Sequence, residues 1–395
     1  MVRLDYDFSR LIQTAACTGC RICADVCPAV SGSGQGRLSG LYRLTELRRL
    51  LRRRYGLLGR LLGRPKVPAE KLSAYAETVF RCTLCGHCQA ACPVGIELKE
   101  LWFSLRQDLV RQGAYPEKAD RIRENLKESH NVFAEDNEER AEWVEDLDEP
   151  PADGFIRAQA EMVYFTGCVA SYYPLAQKIP GHLARIMTRA GVSFTLLGSH
   201  EWCCGYPLIS AGQGELAQEL IAHNIEAVRG RGARKVLFAC PTCFQMWREH
   251  YPPEFELAHS SQWLAETLAK GLLPLKPLNL TVTYHDPCDL GRSAGVYEAP
   301  RQVLRLLPGV RFVELAKSRE NCRCCGGGGS LEMFDPELTA RIADQKVEEI
   351  LATGAQVVAT ACQQCVRTIT AAVRRRQSAL RVMDLTELVF GALEN

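Results

Sequence analysis

The apolar positions of this chain repeat with two different periods. Leu41, Leu44, Leu47, Leu50 and Leu51 recur at helical spacing with Arg48, Arg49, Arg52 and Arg53 between them. The segment LYRLTELRRLLRRRYGLLGRLLG, 41–63, therefore reads as an amphipathic helix: its leucines pack inward and its arginines face water, a partner or an anionic lipid surface. Further on the pattern changes to short apolar runs. Met162 to Phe165, Val192 to Leu197 and Val236 to Phe238 read as strands, with helices at 175–190 and 213–229. Leu280 to Tyr284, Val310 to Leu315 and Val357 to Ala359 repeat the scheme, with a helix at 336–353. Strands alternating with helices imply parallel sheets built from βαβ units.

Between the two regimes, from Glu117 to Asp153, the chain is polar and acidic and ends in the break Glu149-Pro150-Pro151. It reads as a solvated connector, and no function is assigned to it. The expected organisation is residues 1–116 as a mainly helical domain, 117–158 as an acidic, helical linker, and 159–278 and 279–395 as two α/β domains.

The cysteines sharpen this plan. Cys168, Cys203-Cys204-Gly205 and Cys240-Pro-Thr-Cys243 return as Cys288, Cys324-Cys325-Gly326 and Cys362-Gln-Gln-Cys365, each about 120 residues later. Such register points to a tandem duplication. Two of the cysteine groups in each half fall just past strand ends, where open α/β sheets place their sites. There are 19 cysteines, an odd number, and the N-terminus lacks the apolar core of a secretory signal, so ligand or redox roles are expected rather than a disulfide framework.

Cys17-x2-Cys20-x2-Cys23-x3-Cys27-Pro and Cys82-x2-Cys85-x2-Cys88-x3-Cys92-Pro match the run that holds cubane 4Fe-4S clusters in bacterial ferredoxins. There the fourth cysteine of each run serves the other cluster, so Cys17, Cys20, Cys23 and Cys92 form one expected ligand set and Cys82, Cys85, Cys88 and Cys27 the second. Zinc is the competing occupant of such a set, and a zinc-rich scaffold the competing class of protein. In each C-terminal half an adjacent cysteine pair can sit on two irons of one larger cluster, which favours a multi-iron site. Gly205 and the run Gly326 to Gly329 clear side chains from beside it and let backbone N–H groups approach sulfur.

Net charge is only +2, too small to suggest nucleic acid as partner. It is unevenly spread: residues 1–66 hold 13 Lys/Arg against 4 Asp/Glu, and 117–149 hold 13 Asp/Glu against 5 Lys/Arg, a bipolarity that suggests a docking surface. No apolar run is long enough to span a membrane, so a cytoplasmic location is expected, with any membrane contact peripheral or through a partner. No Gly-x-Gly-x-x-Gly follows a strand, so neither flavin nor nicotinamide is expected on this chain.

With these motifs the chain resembles the D-type subunit of heterodisulfide reductase, in which a ferredoxin-like part is fused ahead of two cysteine-cysteine-glycine modules. The resemblance implies two cubane and two noncubane [4Fe-4S] clusters. It assigns Cys168, Cys203, Cys204, Cys240 and Cys243 to one noncubane cluster, and Cys288, Cys324, Cys325, Cys362 and Cys365 to the other. It further implies electrons entering through the cubanes, a small disulfide reduced or two thiols oxidised between the noncubane pair, and a b-type cytochrome or flavin-containing protein as partner. Iron-sulfur subunits of glycolate oxidase, anaerobic glycerol-3-phosphate dehydrogenase and lactate-oxidising complexes share the layout, and they imply the alternative of a non-catalytic relay. His285 and His200, each three residues before a module cysteine, are candidate proton donors or hydrogen-bond partners. Many relatives carry histidine where this chain has Asp289. Cys322 is left over, a buried free thiol by expectation.

Overall fold

A computed structural model describes residues 8–56 and 67–394. The end of the basic segment, 57–63, and the first seven residues lie outside the described residues. The expected amphipathic helix runs Gly40–Tyr55, capped by the Ser39 hydroxyl, which accepts from the Tyr42 N–H at 3.1 Å. Leu44, Leu47 and Leu51 are buried against the helices Ala69–Phe80 and Leu98–Arg111. One arginine breaks the polar face: Arg43 is buried, donating to the carbonyls of Thr78 at 2.8 Å and Arg81 at 3.5 Å, just ahead of the second cysteine run.

Two four-stranded sheets follow, both parallel throughout. β1 (Met162–Phe165), β2 (Phe194–Thr195), β3 (Lys235–Phe238) and β4 (Glu256–His259) stand in the order β2-β1-β3-β4. β5 (Leu280–His285), β6 (Val310–Val313), β7 (Val357–Thr360) and β8 (Arg381–Asp384) repeat it as β6-β5-β7-β8. The duplication read from the cysteines is therefore a duplication of topology. Strands β4 and β8 were not anticipated: they are edge strands, each starting on an exposed Glu or Arg, without the apolar run that marks a buried strand. The strands expected over Val192 to Leu197 and Val310 to Leu315 shrink to their paired cores, and the helix expected at 213–229 begins as a 3-10 turn and runs Ala217–Gly230. The helix expected at 336–353 runs Pro336–Leu351.

The halves pack through equivalent elements. The helix Pro174–Arg189 of the first meets Leu385–Ala392 of the second, and Ser260–Ala269 of the first meets Glu298–Leu306 of the second. The acidic segment is not a solvated spacer. Its helix Lys118–Glu128 places Ala119, Ile122 and Leu126 in the core, and its 3-10 segment Asn137–Val144 buries Arg140 and Trp143.

One residue ties the three parts together. Arg106, fully buried on the helix Leu98–Arg111, donates to the carbonyls of Val79, Phe80 at 3.1 Å, Cys82 at 2.7 Å, Ser210 at 2.6 Å and Gly329 at 2.9 Å. Ser210 and Ser330 lie 120 residues apart in sequence, and their hydroxyls meet at 3.0 Å beside it. The glycine run of the second half is shaped by this joint. A Cβ on Gly328 would come within 2.7 Å of the Thr83 carbonyl, and one on Gly329 within 2.5 Å of the Cys82 carbonyl.

This packing can be tested at two places. Arg106→Met would strand buried carbonyls and is expected to cost about 3 kcal/mol or more, with Arg106→Lys intermediate because an ammonium has three donors. Anaerobic urea unfolding measures both. The second place is a pair of equivalent helix caps, where His259 Nδ1 accepts from the Ser261 N–H at 3.2 Å and Asp384 Oδ1 from the Thr386 N–H at 2.9 Å. Burial lowers His259 to about 3 and raises Asp384 to about 7. His259 thus contributes stability that is complete above its ordinary value of 6.5 and is lost as pH falls; Asp384 contributes stability that is complete below 3.8 and is lost as pH rises through about 7. Relative to wild type, melts taken from about pH 7.5 down to about pH 5.5 should show Asp384→Asn losing stability on acidification and His259→Asn gaining it, each by up to about 1.4 kcal/mol per pH unit.

Candidate metal centres

The N-terminal cysteines are set on two tight turns of matching shape. Gly19 and Arg21 take positive φ in the first, Leu84 and Gly86 in the second, and each turn runs into a short helix, Ile22–Asp25 or His87–Ala90. Cys27 stands as N-cap before Pro28, which starts the helix Pro28–Ser33. The two runs exchange their last cysteine. Cys17, Cys20, Cys23 and Cys92 line one cavity. Burial raises the Cys23 thiol, and negative charge on Cys17, Cys20 and Cys92 adds to that. Burial likewise lifts Cys27 to about 11, with Cys82 and Cys85 as its thiol neighbours, and Cys88 rises through burial beside Cys82, Cys85 and Cys27.

In the C-terminal halves the strand ends do the positioning. Cys168 follows β1 and Cys240 follows β3, the central neighbours of the first sheet; Cys288 and Cys362 follow β5 and β7 in the same way. Cys240 and Cys362 are the N-caps of the helices Pro241–His250 and Gln363–Arg375, which puts Cys243 and Cys365 in the first turns. The pair-plus-glycine turns need φ of +92° at Gly205 and +95° at Gly326, and the Gly326 N–H donates to Cys324 Sγ at 3.4 Å.

The five thiols of each half neighbour one another in the same order. In the first it runs Cys168, Cys203, Cys204, Cys243, Cys240. In the second it runs Cys288, Cys324, Cys325, Cys365, Cys362, with Cys325 Sγ 3.3 Å from Cys365 Sγ. Hydrogen bonds from Cys203 and Cys243 lower Cys204 to about 6. All 19 cysteines are free. Thiols gathered this closely in a buried site, at separations too long for a disulfide, suit a polynuclear metal group whose cations neutralise several thiolates at once.

The halves differ in their surroundings. In the first, Arg140 of the acidic segment forms a buried ion pair with Glu201 at 2.7 Å and reaches Cys168 Sγ at 3.6 Å, while Glu201 accepts from the N–H groups of Thr166 and Gly167. In the second, Cys85 of the N-terminal part lies beside Cys324, and Arg292 donates to the carbonyls of Cys85 and Cys322, each at 2.7 Å. Cys322 faces His285 Nδ1 at 3.5 Å and Lys346 Nζ at 3.4 Å; burial would raise its thiol, but Lys346 and His285 outweigh that and bring it to about 7. Burial would lower His285, but Cys322 outweighs it and the imidazole rises to about 9. Donor atoms of His285, Cys325 and Cys365 lie within 4.8 Å of one another.

The two histidines are therefore not equivalents. His285 is buried among module cysteines at the end of β5, whereas His200 sits in an exposed turn and its carbonyl bonds the His223 ring. Asp289 is held by Lys99 at 3.0 Å and Thr242 at 2.8 Å, which joins all three parts of the chain. Arg140, Arg106 and Lys99 carried no sequence signal, being single basic residues in ordinary helical stretches. The modules face each other: Gln363 Nε2 of the second donates to the Thr166 carbonyl of the first at 3.1 Å.

Comparison with known proteins agrees with this division. A family model described as a cysteine-rich domain, CCG, matches residues 162–248 and 282–370, and one described as a 4Fe-4S dicluster domain matches 13–96. The D-type subunit of the dihydromethanophenazine:CoB–CoM heterodisulfide reductase of Methanosarcina barkeri is 37% identical over 97% of this chain and 95% of its own length. EtfAB:quinone oxidoreductase of Syntrophomonas wolfei is 31% identical over 81% of this chain and 47% of its own length. The iron-sulfur-binding oxidoreductase FadF of Bacillus subtilis is 29% identical over 98% of this chain and 60% of its own length.

Breaking the Arg140–Glu201 pair from one side leaves a buried charge without its partner. Arg140→Leu is expected to lose about 3–5 kcal/mol in anaerobic urea unfolding, and Arg140→Leu with Glu201→Gln to recover part of that loss, since the neutral amide oxygen still accepts from the Thr166 or Gly167 N–H.

Proposed function

The chain belongs to the family of heterodisulfide reductase D-type subunits, iron-sulfur oxidoreductases, and on that premise we propose that it reduces a disulfide, or oxidises two thiols, between its two C-terminal cysteine modules. Residues 1–116 would hold two cubane clusters, on Cys17, Cys20, Cys23 and Cys92 and on Cys82, Cys85, Cys88 and Cys27. Residues 117–158 connect them to the modules of 159–278 and 279–395, whose five-cysteine sets would each hold a noncubane [4Fe-4S] cluster. Bound there, the clusters would carry single electrons from the first pair to the second and supply the two that a disulfide takes up.

The observation that carries the reading is the matched pair of five-thiol groups facing each other, with Cys324 of the second beside Cys85 of the N-terminal part. The residues have separate tasks. Arg43 and Arg106 place buried positive charge beside the second N-terminal set. Arg140 does so for Cys168, and Arg292 sits beside Cys85 and Cys288. His285, buried next to Cys325 with its ring toward Cys322, holds a proton close to the second module. His200 is exposed and farther from such a role. Among the described residues no helix is long and apolar enough to cross a membrane, so a membrane donor would be reached through a partner such as a b-type cytochrome or a flavin-containing protein.

A second reading, a relay without substrate chemistry, is favoured by the likeness to EtfAB:quinone oxidoreductase along 81% of the chain. One experiment separates the two. Anaerobically purified protein should contain about 16 irons per chain, and the EPR signal of its oxidised form should change on adding a small dithiol or disulfide. No change with any candidate thiol identifies the relay, and absence of iron overturns both.

A further inference from the structure

The first N-terminal cysteine set lies at the surface. Cys20 is exposed and Cys17, Cys23 and Cys92 are half-buried, whereas most other cysteines are buried. Around it gather Leu11, Ile12, Ile22, Tyr42 and Val94, half of the exposed large apolar side chains among the described residues. Leu11 and Ile12 lie on the helix Phe8–Ala16, which runs into Cys17 and packs on the helix Gly40–Tyr55; Val94 lines the cavity formed by the four cysteines. Scattered apolar side chains need no explanation, but several carried by the elements that surround one feature mark an interaction site.

The rim of this patch is basic. Arg48 donates to the Cys17 carbonyl at 3.2 Å, which fixes the arginine face of the helix against the cysteine set. Arg49, Arg52 and Arg53 are exposed along it. Arg49 pairs with Glu46 of its own helix, and among the described residues Arg52 and Arg53 make no ion pair. Among the described residues the anions on these elements include Asp25, Glu46 and Glu97, the last bonded to Gln13. An apolar centre with a charged rim is the anatomy of a transient protein interface, and the sign of the rim specifies an acidic partner.

We propose that this face docks a one-electron carrier protein whose own redox centre is ringed by acidic residues, and that the arginine face of Gly40–Tyr55 steers the encounter. The proposal rests on the function above, since it takes the Cys17 set to hold a cluster. In each encounter the carrier gives up one electron and this chain gains one; no bond forms or breaks. A protein is favoured over an anionic lipid surface because the apolar group is centred on the cysteine set and not spread along the helix, so what covers it lies against the redox site.

The test uses the iron-loaded full chain, with a reduced acidic ferredoxin as probe. Stopped-flow reduction at low salt should be fast and fall steeply with ionic strength. Arg49→Glu with Arg52→Glu and Arg53→Glu should slow it about tenfold or more, with the three-lysine variant near wild type and reduction by dithionite unchanged in both. If the glutamate variant loses iron, the three-glutamine variant takes its place, with a smaller slowing expected. An iron-loaded variant reduced by ferredoxin at the wild-type rate, or a wild-type rate insensitive to salt, overturns the proposal. So does loss of binding to phosphatidylglycerol vesicles in that variant with the ferredoxin rate intact, which would assign the face to a membrane. A chain without iron overturns the function itself and this face with it.

Discussion

The buried guanidinium of Arg106 is the constraint on which the arrangement of this molecule depends. A charge taken out of water must be surrounded by acceptors, and Arg106 finds them in carbonyls from three separate parts of the chain: the approach to the second cysteine run, the helix end after Cys204 and the glycine run after Cys325. Burial lowers even this arginine to about 10. None of these carbonyls belongs to a side chain that could be exchanged. The joint is therefore specified by backbone position, and the parts meet in one register.

That register breaks the symmetry of the duplication. The two C-terminal halves share strand order and strand-end cysteines, and the N-terminal part lies against both, through Phe103 on Tyr206 and Arg106 on Ser210 and Gly212 in the first, and through the Cys82 and Thr83 carbonyls over Gly328 and Gly329 in the second. The first half has Tyr206, Pro207 and Leu208 in the corresponding stretch. A duplicated fold supplies two equivalent sites, and the different contacts each half makes with the N-terminal part set Cys324 of the second beside Cys85.

The electrostatics follow the same division. Positive groups approach three of the four cysteine sets, from different sources: Arg43 from the amphipathic helix, Arg140 from the acidic segment, and Arg292, His285 and Lys346 from the second half itself. Each offsets the cost of keeping anionic sulfur in a low-dielectric interior. The acidic segment thus serves two purposes at once, presenting carboxylates to water while burying Arg140 and Trp143.

The sequence by itself determined the cysteine spacings, the duplication, the strand–helix alternation and the helix bearing Leu44 and Leu47, because each is written as a repeated spacing along the chain or as a helical or strand period. It also placed Gly205 and Gly326, since a turn of that φ leaves little choice of residue. Long-range partners leave no local period, and only the tertiary structure decided them. Arg106, Arg140, Lys99 and Arg43 are ordinary basic residues until the fold brings carbonyls, thiols or Asp289 to them. The edge strands β4 and β8, paired on one side and half-exposed, carry too weak an apolar signal to be read alone. The closeness of the second half's cysteines to Cys85 was likewise invisible, because it depends on the space over two glycines that the sequence shows only as a run of four.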